Sequence, residues 1–444
     1  MKQKAVFIKT FGCQMNEHDS EKIHRILGDH DYKLTENIND ADLVLLNTCS
    51  IREKAEHKVY SSLGRLRRLK GKNPKLIIGV GGCVAQQEGE RLLHRVPYLD
   101  IVFGTHNIHK LPEFIHDVER TGRRILETSL YDSVPSLGVY SNPREKEIKS
   151  YVTIMQGCDN YCSYCIVPYV RGREISRPNG EILEEVKRLS ERGVKEVTLL
   201  GQNVNSYGKG ITEGMTFPRL LYSINEIEGI ERIRFTTSHP KDLSEELISS
   251  FGQLDKLCEH IHLPVQSGSN SVLEAMKRRY TAEEYIAKVE RLRNTCPKIS
   301  ITSDIIVGFP GETEKDFKDT LELIGVVKFD SLFSFKYSDR VETKASTLTE
   351  KVDDEVKAKR LSILQTYQKL FTLTKNRELE GKEEEILVEG PSKTNLTRLT
   401  GRTRSNKVVN FEGSSDLRGC IVPVRIKRAF LNSLEGEINT TYCG

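Results

Sequence analysis

Short runs of aliphatic and β-branched residues alternate with amphipathic helical patterns along the first third of the chain. Four such runs, at positions 5–8, 43–46, 76–80 and 99–103, are continuous enough to be strands buried on both faces. Helical patterns separate them, for example at 20–27 and 53–69. Strands that alternate with helices predict βαβ units and a parallel sheet. We expect this domain to occupy residues 1–125, with a linker at 127–149 where the periodicity fades.

The middle of the chain repeats the alternation six times. Its strand-like runs lie at positions 151–155, 196–200, 232–236, 260–265, 299–307 and 331–337. Helical patterns lie between them, for example at 180–192, 243–251 and 283–293. Six βα units predict a barrel or partial barrel over residues 145–378, with its active site at the carboxyl ends of the strands.

The last part of the chain lacks the alternation of strands and helices. A long charged helical pattern at 350–379 leads to short β runs at 385–388, 396–400, 407–411 and 421–426. Short strands of this kind predict a small β-barrel over residues 379–442. The expected fold class is therefore α/β, with a parallel-sheet domain, a partial (β/α) barrel and a small C-terminal β-barrel.

The composition is that of an ordinary globular protein, and the lengths of the apolar runs bear on its cellular location. The chain has 444 residues, of which 37% are hydrophobic and 29% charged. No apolar run approaches the roughly 18 residues that cross a bilayer, and the apolar stretch near the N-terminus is too short for a signal peptide. We expect a cytoplasmic protein without a membrane partner. In a reducing compartment, clustered cysteines indicate metal binding more often than disulfides.

One stretch contains three cysteines in the spacing CxxxCxxC, namely Cys158, Cys162 and Cys165. Tetrahedral zinc normally takes four protein ligands, or three and a water. A 4Fe-4S cluster held by three thiolates keeps one iron open to an outside ligand, which suits chemistry better than electron storage. The spacing therefore predicts a three-cysteine cluster site, and the alternative is three buried, unreactive thiols.

Three further cysteines, Cys13, Cys49 and Cys83, each follow one of the first three predicted strands. The carboxyl ends of parallel strands meet at one sheet edge, so these residues are expected to converge. Glycines at 12, 81 and 82 would let the backbone approach a bulky inorganic group. The pattern predicts a second three-cysteine cluster, against the alternative of three buried cysteines. The other four cysteines have no metal spacing and are treated as non-ligands: Cys258, Cys296, Cys420 and Cys443.

Charge is concentrated near the C-terminus. Residues 393–428 contain nine basic and two acidic side chains, a net charge of +7. A basic barrel predicts a polyanionic partner, and the alternative is a solvated basic surface. Elsewhere, Arg171, Arg173 and Arg177 can meet phosphates or lie exposed at the surface. His239, just before a proline, can carry a proton or serve as a structural hydrogen-bond partner.

The cysteine motif and the aromatic before its last cysteine, Tyr164, resemble the signature of the radical S-adenosylmethionine (SAM) superfamily. The resemblance implies that the open iron is chelated by the amino and carboxylate groups of SAM, and that an electron from the cluster cleaves the sulfonium to a 5′-deoxyadenosyl radical. The runs GCQMN, VPYVRGREISRP, LLGQNVNSYG, HLPVQSGS and DIIVGFPGET resemble those of the methylthiotransferase family. This second resemblance implies a SAM and substrate pocket lined by Tyr164, Asn203, Ser238, Gln266, Arg278 and Asp304.

Alternative interpretations of these pocket residues stay open. Gln266 can be an ordinary turn residue after a strand, and Asp304 can cap a helix or a loop. One loop departs from the family pattern, since Arg340 is followed by Val341, Glu342 and Thr343 instead of Pro-Gly-Thr. We therefore expect the Pro-Gly turn to be lost there.

The run GRTRSNKVVNF resembles the TRAM domain, an RNA-binding barrel. The resemblance implies that the basic barrel binds RNA, and the candidate contacts are Arg398, Arg402, Arg404 and Lys407. Phe411 in this run can stack on a base or belong to the barrel core.

Within the family, the motifs favour the branch that acts on N(6)-dimethylallyladenosine in tRNA. The resemblance implies methylthiolation of ring carbon 2 of this base, next to the anticodon, with two 4Fe-4S clusters and two SAM. Cys158, Cys162 and Cys165 would hold the radical-generating cluster, and Cys13, Cys49 and Cys83 the sulfur-donating one. The implied partners are the tRNA anticodon stem-loop, an electron donor and a sulfur source, and we expect a monomer.

Other functions compete with this one. A relative can modify threonylcarbamoyl-adenosine in tRNA or an aspartate of a ribosomal protein. A different class is a non-enzymatic iron–sulfur protein that binds RNA.

Overall fold

The computed structural model describes residues 3–50, 53–131, 147–211, 214–393 and 395–438, with the backbone alone over 53–57. Most of the predicted linker at 127–149, and Cys443, lie outside these residues. In the described part of the chain, no helix is long and apolar enough to cross a membrane.

A six-stranded parallel sheet forms the first domain, as the alternation of strands and helices predicts. Its strands follow the order β2-β1-β3-β4-β5-β6, and every neighbouring pair is parallel. In chain order the elements are β1 (Lys4–Thr10), α1 (Gln14–Gly28), β2 (Tyr32–Leu34), β3 (Leu43–Thr48), α2 (Glu53–Lys72), β4 (Ile77–Gly82), α3 (Cys83–Arg95), β5 (Ile101–Phe103), α4 (Leu111–Thr121) and β6 (Ile125–Glu127). The edge strands β2 and β6 are too short to show a periodicity in the sequence.

Helices cover both faces of this sheet, so its central strands are buried throughout. Every residue of β3 and of β4 is buried, which explains their continuous apolar runs. Alternate side chains of β3 enter two different cores, Val44 and Leu46 on one face and Leu43 and Leu45 on the other.

The central domain is a partial (β/α) barrel, which confirms the predicted fold class. Two three-stranded parallel sheets, ordered β11-β10-β7 and β12-β13-β14, are joined by a parallel bridge between Ile233 and Leu257. The elements are β7 (Lys149–Thr153), β8 (Met155–Gln156), α5 (Val167–Arg171), β9 (Ile175–Ser176), α6 (Asn179–Glu191), β10 (Glu196–Leu200), α7 (Phe217–Asn225), β11 (Arg232–Phe235), α8 (Glu245–Gln253), β12 (His260–His262), α9 (Asn270–Ala275), α10 (Ala282–Thr295), β13 (Ser300–Val307), α11 (Glu314–Val327), β14 (Ser331–Lys336) and α12 (Asp354–Arg377).

Local capping chemistry sets where several of these helices begin. Thr281 and Glu284 form a reciprocal capping box at the start of α10. Thr313 and Asp316 do the same for α11. These caps orient the loops that precede each helix, at the carboxyl ends of the strands where the candidate site lies.

Five strands close into a barrel at the C-terminus, in the order β15-β16-β17-β19-β18. They are β15 (Glu383–Pro391), β16 (Leu399–Thr403), β17 (Val408–Phe411), β18 (Ile421–Ala429) and β19 (Leu434–Ile438). The fifth strand, β19, carries only two apolar residues, Leu434 and Ile438, beside two glutamates and a glycine, so the sequence did not predict it. Phe411 lies fully buried in the core of this barrel, the structural one of its two predicted roles.

The small barrel docks at the amino ends of the central strands. Two buried arginines at the start of β11 donate to its backbone: Arg232 to the carbonyls of Glu385 and Arg402, at 2.9 and 2.8 Å, and Arg234 to those of Thr403 and Arg404, both at 2.8 Å. The cysteine loop after β8 lies at the opposite, carboxyl end of the same strands. The molecule therefore has the basic barrel at one end of the central domain and the CxxxCxxC loop at the other.

Candidate active site

The CxxxCxxC loop is held in place by a glycine and by backbone hydrogen bonds. Gly157 has φ of +78°, and a Cβ there would lie 1.8 Å from the carbonyl oxygen of Arg173. Its N–H donates to Oε1 of Gln202 at 2.5 Å, and the N–H of Cys158 donates to the carbonyl of Gly172 at 3.2 Å. Only glycine fits this close approach, so the loop leaves β8 in one defined direction.

The thiols of this loop are mostly shielded from water. Cys158 and Cys162 are buried and Cys165 is partly exposed. Burial raises the pKa of Cys158 to about 11 and that of Cys165 to about 12, and each is raised further by its neighbouring thiols. The thiols of Cys158 and Cys165 therefore favour the protonated form, and binding of a metal cluster would release their protons.

Two basic side chains surround Cys162. Arg278 is buried, and its Nη1 donates to Sγ of Cys162 at 3.4 Å while Nη2 donates to the carbonyl of Pro264 at 2.6 Å. Nε2 of His239 lies 4.0 Å from the same sulfur. Burial and the nearby cations hold the pKa of His239 far below its usual range, so its imidazole is neutral. Its Nδ1 accepts a hydrogen bond from the N–H of Lys241, which agrees with a structural role.

The second cysteine triplet converges as the topology predicts. Cys13, Cys49 and Cys83 follow the carboxyl ends of β1, β3 and β4, which are neighbours in the sheet. Gly12, with φ of +116°, has no Cβ, and one added there would lie 2.1 Å from Cβ and 2.7 Å from Sγ of Cys49. The glycine therefore keeps space beside the thiol that a side chain would fill.

The protonation of these thiols is uneven. The pKa of Cys13 is lowered to about 6, mainly by a hydrogen bond with Cys49, against the opposing effect of burial and with help from the charge of Arg171. Burial raises the pKa of Cys83. The Cys13 thiol also donates to Oδ1 of Asn16 at 3.1 Å. One thiol of the triplet is thus predisposed to be a thiolate.

Arg171 is not a surface or phosphate-binding residue, because it is buried beside this triplet. Its Nη2 lies 2.8 Å from Oδ2 of Asp19 on α1, and both side chains are buried. The other two arginines of the motif also make ion pairs, Arg173 with Asp159 at 3.1 Å and Arg177 with a glutamate of α6. Of the three, only Arg173 is largely exposed.

Both triplets fit iron–sulfur clusters rather than single ions. Among the described residues, no three His, Cys, Asp or Glu side chains are placed to hold one metal ion. A four-iron cluster is wider than a single ion, so its thiolates stand further apart than those that ligate one zinc at about 2.3 Å. Each triplet offers thiols alone, which is the donor chemistry of such clusters, and Gly12 leaves space beside Cys49.

Two of the predicted pocket residues present unsatisfied polar atoms. Oγ of Ser238 and Oδ1 of Asn203 are buried and lack a hydrogen-bond partner within the described chain. Nδ2 of Asn203 is occupied, since it donates to Oδ2 of Asp242 at 2.8 Å. Buried polar atoms without a partner are rare in proteins, so these two fit a polar ligand such as SAM.

The other predicted pocket residues have identifiable structural settings. Gln266 has φ of +76°, and its backbone bonds to the backbones of Asp304 and Ile306 on β13. Oδ2 of Asp304 lies 3.6 Å from Nε2 of His262. Tyr164 packs against a small apolar cluster that includes Phe309, and burial raises its pKa well above the usual value.

A cavity of about 1000 Å³ lies between the three domains. Cys13 and Cys49 line one side of it, and Asp304 lines the inner face of the partial barrel. Residues of the small barrel, including Arg402 and Lys407, close another side. Two thiols of the auxiliary triplet, which consists of Cys13, Cys49 and Cys83, therefore face a space large enough for a nucleoside, next to the basic barrel.

Comparison with known proteins follows the same three-part division. Family models match at residues 5–104 (Uncharacterized protein family UPF0004), 152–324 (Radical SAM superfamily) and 377–438 (TRAM domain). A tRNA-2-methylthio-N(6)-dimethylallyladenosine synthase of Syntrophus aciditrophicus is 57% identical, over 98% of this chain and 95% of that protein. Proteins of the same name from Geotalea uraniireducens and Clostridium perfringens are 53% and 49% identical, covering 98% and 99% of this chain and 99% and 98% of theirs.

The chain belongs to the tRNA-2-methylthio-N(6)-dimethylallyladenosine synthase family. It is therefore a transferase of the radical SAM superfamily, and the predicted resemblance is confirmed. Solved structures share the fold. The radical SAM methyltransferase TsrM of Kitasatospora setae matches with a TM-score of 0.57 at 14% identity, over 77% of this chain and 75% of that one. OxsB matches with a TM-score of 0.52 at 15% identity, over 83% and 56%.

The sequence did not predict two residues that line this cavity from the strands of the partial barrel. His262 of β12 and Phe333 of β14 lie edge to face, with ring centroids 5.9 Å apart, and both line the cavity. Phe333 is 49% exposed despite its apolar ring. The sequence carries no clear signal for them, because polar and apolar residues do not alternate regularly along β13 (SITSDIIV) or β14 (SLFSFK).

The four basic residues predicted to meet RNA all make contacts within the chain. Arg398 pairs with Glu435 at 2.6 Å and Arg402 with Glu389 at 3.2 Å, both inside the small barrel. The other two reach the central domain: Arg404 binds Glu259 through Nε, at 2.8 and 2.9 Å, and Lys407 lies 3.0 Å from Asp330. RNA binding by these residues stays a prediction, and the last two contribute to domain docking.

The loop after β14 keeps its turn despite the lost Pro-Gly pair. The N–H of Thr343 donates to the carbonyl of Arg340 at 3.1 Å, which closes a four-residue turn. Glu342 stands where glycine is usual and adopts φ of +77°. A type II turn needs positive φ at this third position, so the backbone shape persists with a strained residue in it. The expectation of a lost turn is wrong.

Proposed function

We propose that this protein adds a methylthio group to ring carbon 2 of N(6)-dimethylallyladenosine, next to the anticodon of tRNA. The curated relatives at 49–57% identity carry the name of this activity over nearly their full length. The structural observation that supports it is the 1000 Å³ cavity, because it is lined by thiols of the auxiliary triplet and by the basic barrel. A base inserted there would lie beside the cysteines predicted to hold the sulfur-donating cluster.

Two 4Fe-4S clusters and SAM are the cofactors of this proposal. Cys158, Cys162 and Cys165 would hold one cluster, and Cys13, Cys49 and Cys83 the other. When bound, the first supplies the electron that cleaves SAM and the second supplies sulfur, while SAM serves as both methyl donor and radical source. An aromatic C–H has no readily removed proton, which is why acid–base chemistry alone would not suffice.

The chain's own groups around the first triplet exclude water and hold a fixed charge. Arg278 keeps a permanent cation beside Cys162, because its Nη1 donates to Sγ of that residue. His239 stays neutral, so it neither competes for the thiolate nor delivers a proton at neutral pH. The free atoms of Asn203 and Ser238 would accept from or donate to the polar groups of SAM.

Recognition of tRNA is assigned to the basic barrel and to the mouth of the cavity. Anticodon-loop bases can be turned outward without opening a long duplex. Within the cavity, Phe333 offers an exposed aromatic face and lies near Leu332 and Phe335, which suits an apolar dimethylallyl group. A threonylcarbamoyl group carries a charged carboxylate, which the three apolar side chains would not favour.

Analysis of modified nucleosides tests the proposed function. A strain lacking the gene should accumulate N(6)-dimethylallyladenosine without its methylthio group, and the wild-type gene should restore the modification. Unchanged methylthio-dimethylallyladenosine in the deletion strain would reject the proposal. Loss of the threonylcarbamoyl derivative instead would assign the chain to that substrate.

A further inference from the structure

A small cationic pocket opens on the outer side of the CxxxCxxC loop. It has a volume of about 250 Å³ and is lined by Cys162, the aromatic residues Tyr161 and Tyr169, and three cations, Lys277, Arg279 and Lys344. Among the described residues, no acidic side chain lines it.

Among the residues that the structure describes, the three cations line the pocket together with no carboxylate beside them. None of them makes an ion pair within the described chain. Lys277 and Lys344 are close enough that the Lys344 ammonium lowers the pKa of Lys277. Like charges that are kept adjacent at a surface repel each other, so the arrangement costs stability unless a negative partner occupies it.

The backbone fixes these cations to the cysteine loop. Lys277 and Arg279 both have φ of +59°, in the left-handed region that side-chain-bearing residues rarely adopt. Ser163, next to Cys162, donates its N–H to the carbonyl of Met276 at 3.0 Å and accepts at its own carbonyl from the N–H of Ala345 at 2.8 Å. The residues that flank the cations are therefore tied directly to the cluster loop.

The position of the pocket separates it from the basic barrel. The barrel docks at the amino ends of the central strands and the pocket lies among loops at their carboxyl ends. The eight residues of β13 separate these two ends by about 26 Å, at 3.3 Å per residue. The pocket also does not share the large cavity, because its lining residues do not line that cavity. These facts favour a partner other than the tRNA.

We propose that this pocket is the docking site of an acidic one-electron carrier protein. The inference rests on the proposed function, which requires an electron at the site of Cys158, Cys162 and Cys165. In the transfer the carrier loses one electron and the cluster site gains it, and no bond or proton moves. Electron-transfer complexes are typically small and steered by opposite charges, which suits a compact patch of three cations around a pocket that reaches Cys162.

Binding of a carrier to the reconstituted enzyme tests the proposal without relying on activity. The probe is an oxidised acidic flavodoxin, and the measurement is its dissociation constant by fluorescence anisotropy at low salt. Lys277→Glu with Lys344→Glu should raise that constant by about tenfold or more. Lys187→Glu with Lys359→Glu, on exposed lysines of α6 and α12, should change it by less than about twofold. Lys277→Arg with Lys344→Arg keeps the charge and should keep the affinity.

The rate of SAM cleavage gives a second readout. With reduced flavodoxin as the electron donor, the double glutamate variant should cleave SAM more slowly than wild type, by about the same factor as its loss of flavodoxin affinity. With dithionite as the donor, its rate of SAM cleavage should stay within about twofold of the wild-type rate. Equal loss with both reductants, or unchanged flavodoxin affinity, overturns the proposal. Weakened tRNA binding with unchanged flavodoxin affinity also overturns it and assigns the pocket to RNA. Failure of dithionite-driven methylthiolation in the wild type would instead count against the proposed function alone.

Discussion

Arg171 of α5 and Asp19 of α1 form a buried ion pair, with Nη2 and Oδ2 2.8 Å apart, that joins the first domain to the central one. The pair lies beside Cys13 and Cys83. Burial raises the pKa of Cys83 and the charge of Arg171 only opposes that rise, whereas at Cys13 the charge adds to the lowering of the pKa caused mainly by Cys49. The same interface is closed by Thr105 and His106, which bond to the carbonyls of Val170 and Arg171 at 2.8 and 2.9 Å. The α5 segment that follows one cysteine triplet thus also supports the other.

Replacing Arg171 by methionine should destabilise the protein strongly. The change leaves the Asp19 carboxylate buried without its partner, which costs about 3–5 kcal/mol in the free energy of unfolding. Urea unfolding of the purified variant measures this. Asp19→Asn together with Arg171→Met removes the unpaired charge and should recover a large part of the loss. Equal destabilisation of the single and double variants would show that the pairing is not the cause.

The two cysteine triplets should have separable functions. Anaerobically reconstituted wild type is expected to contain about eight irons per chain, and Cys158→Ala or Cys13→Ala about four. Cys158→Ala should lose both SAM cleavage and methylthiolation, whereas Cys13→Ala should keep SAM cleavage and lose sulfur insertion. Cys420→Ala, at an exposed cysteine outside both triplets, is the control and should change neither. A Cys13→Ala enzyme that still methylthiolates tRNA would contradict this division.

Glycine at position 342 should stabilise the loop after β14. Glu342 has φ of +77°, which costs about 1–2 kcal/mol for a residue with a side chain, and glycine removes that cost while adding chain entropy to the unfolded state. Glu342→Gly is therefore expected to raise the free energy of unfolding by about 0.5–1 kcal/mol. Val341→Gly, at the neighbouring exposed position without positive φ, should lower it by a similar amount. Chemical denaturation compares the two, and a destabilised Glu342→Gly would refute the assigned strain.

Asp316 should make the loop after β12 sensitive to acid. Burial acts to raise its pKa, but hydrogen bonds from Ser269, Thr313 and Ser271 outweigh it and hold the pKa well below the usual range. The hydroxyls of Ser269 and Ser271 donate to its Oδ1 at 2.5 and 2.7 Å. A carboxyl whose folded pKa is depressed stabilises the fold above its unfolded pKa of about 4 and loses that stabilisation as the pH falls below it.

Comparison with Asp316→Asn isolates this contribution. The variant should be less stable than wild type by about 1.5–3 kcal/mol at pH 7, because charged hydrogen bonds are replaced by neutral ones. The difference should be the same at pH 5 and shrink below pH 4, as measured by urea unfolding at each pH. A difference that already shrinks between pH 7 and pH 5 would assign the effect to another group.

Arg398 and Arg404 should differ in their effect on tRNA binding. Arg404 is committed to Glu259 and to the carbonyls of Asp255 and Leu257, so Arg404→Ala should loosen the barrel and raise hydrogen exchange at this contact. Among the described residues, the Arg398 guanidinium pairs with Glu412 and Glu435 of its own barrel, and Arg398→Ala should reduce the slope of log affinity against log salt by about 1. Equal slopes for Arg398→Ala and wild type would remove Arg398 from the RNA contacts.

Much of the architecture was predictable because it depends on local patterns. Buried strands such as β3 and β4 are apolar throughout, and amphipathic helices separate them, so the α/β class follows from the sequence. The short strands β2, β6 and β19 were not predictable, since their pairing depends on neighbours that are distant along the chain.

The sequence by itself determined the α/β class and identified the two cysteine triplets, because strand periodicity, cysteine spacing and strand-end positions are local features that need no partner to be recognised. Only the tertiary structure decided which charges are free and which are committed. Arg171, Arg404 and Lys407 look alike as basic residues of polar motifs, yet each pairs with a carboxylate far away in sequence. The cationic pocket beside Cys162 likewise exists only because loops after α9 and β14 fold against the cysteine loop. Ion pairs and pockets depend on distances in space, which hydrophobic periodicity does not encode.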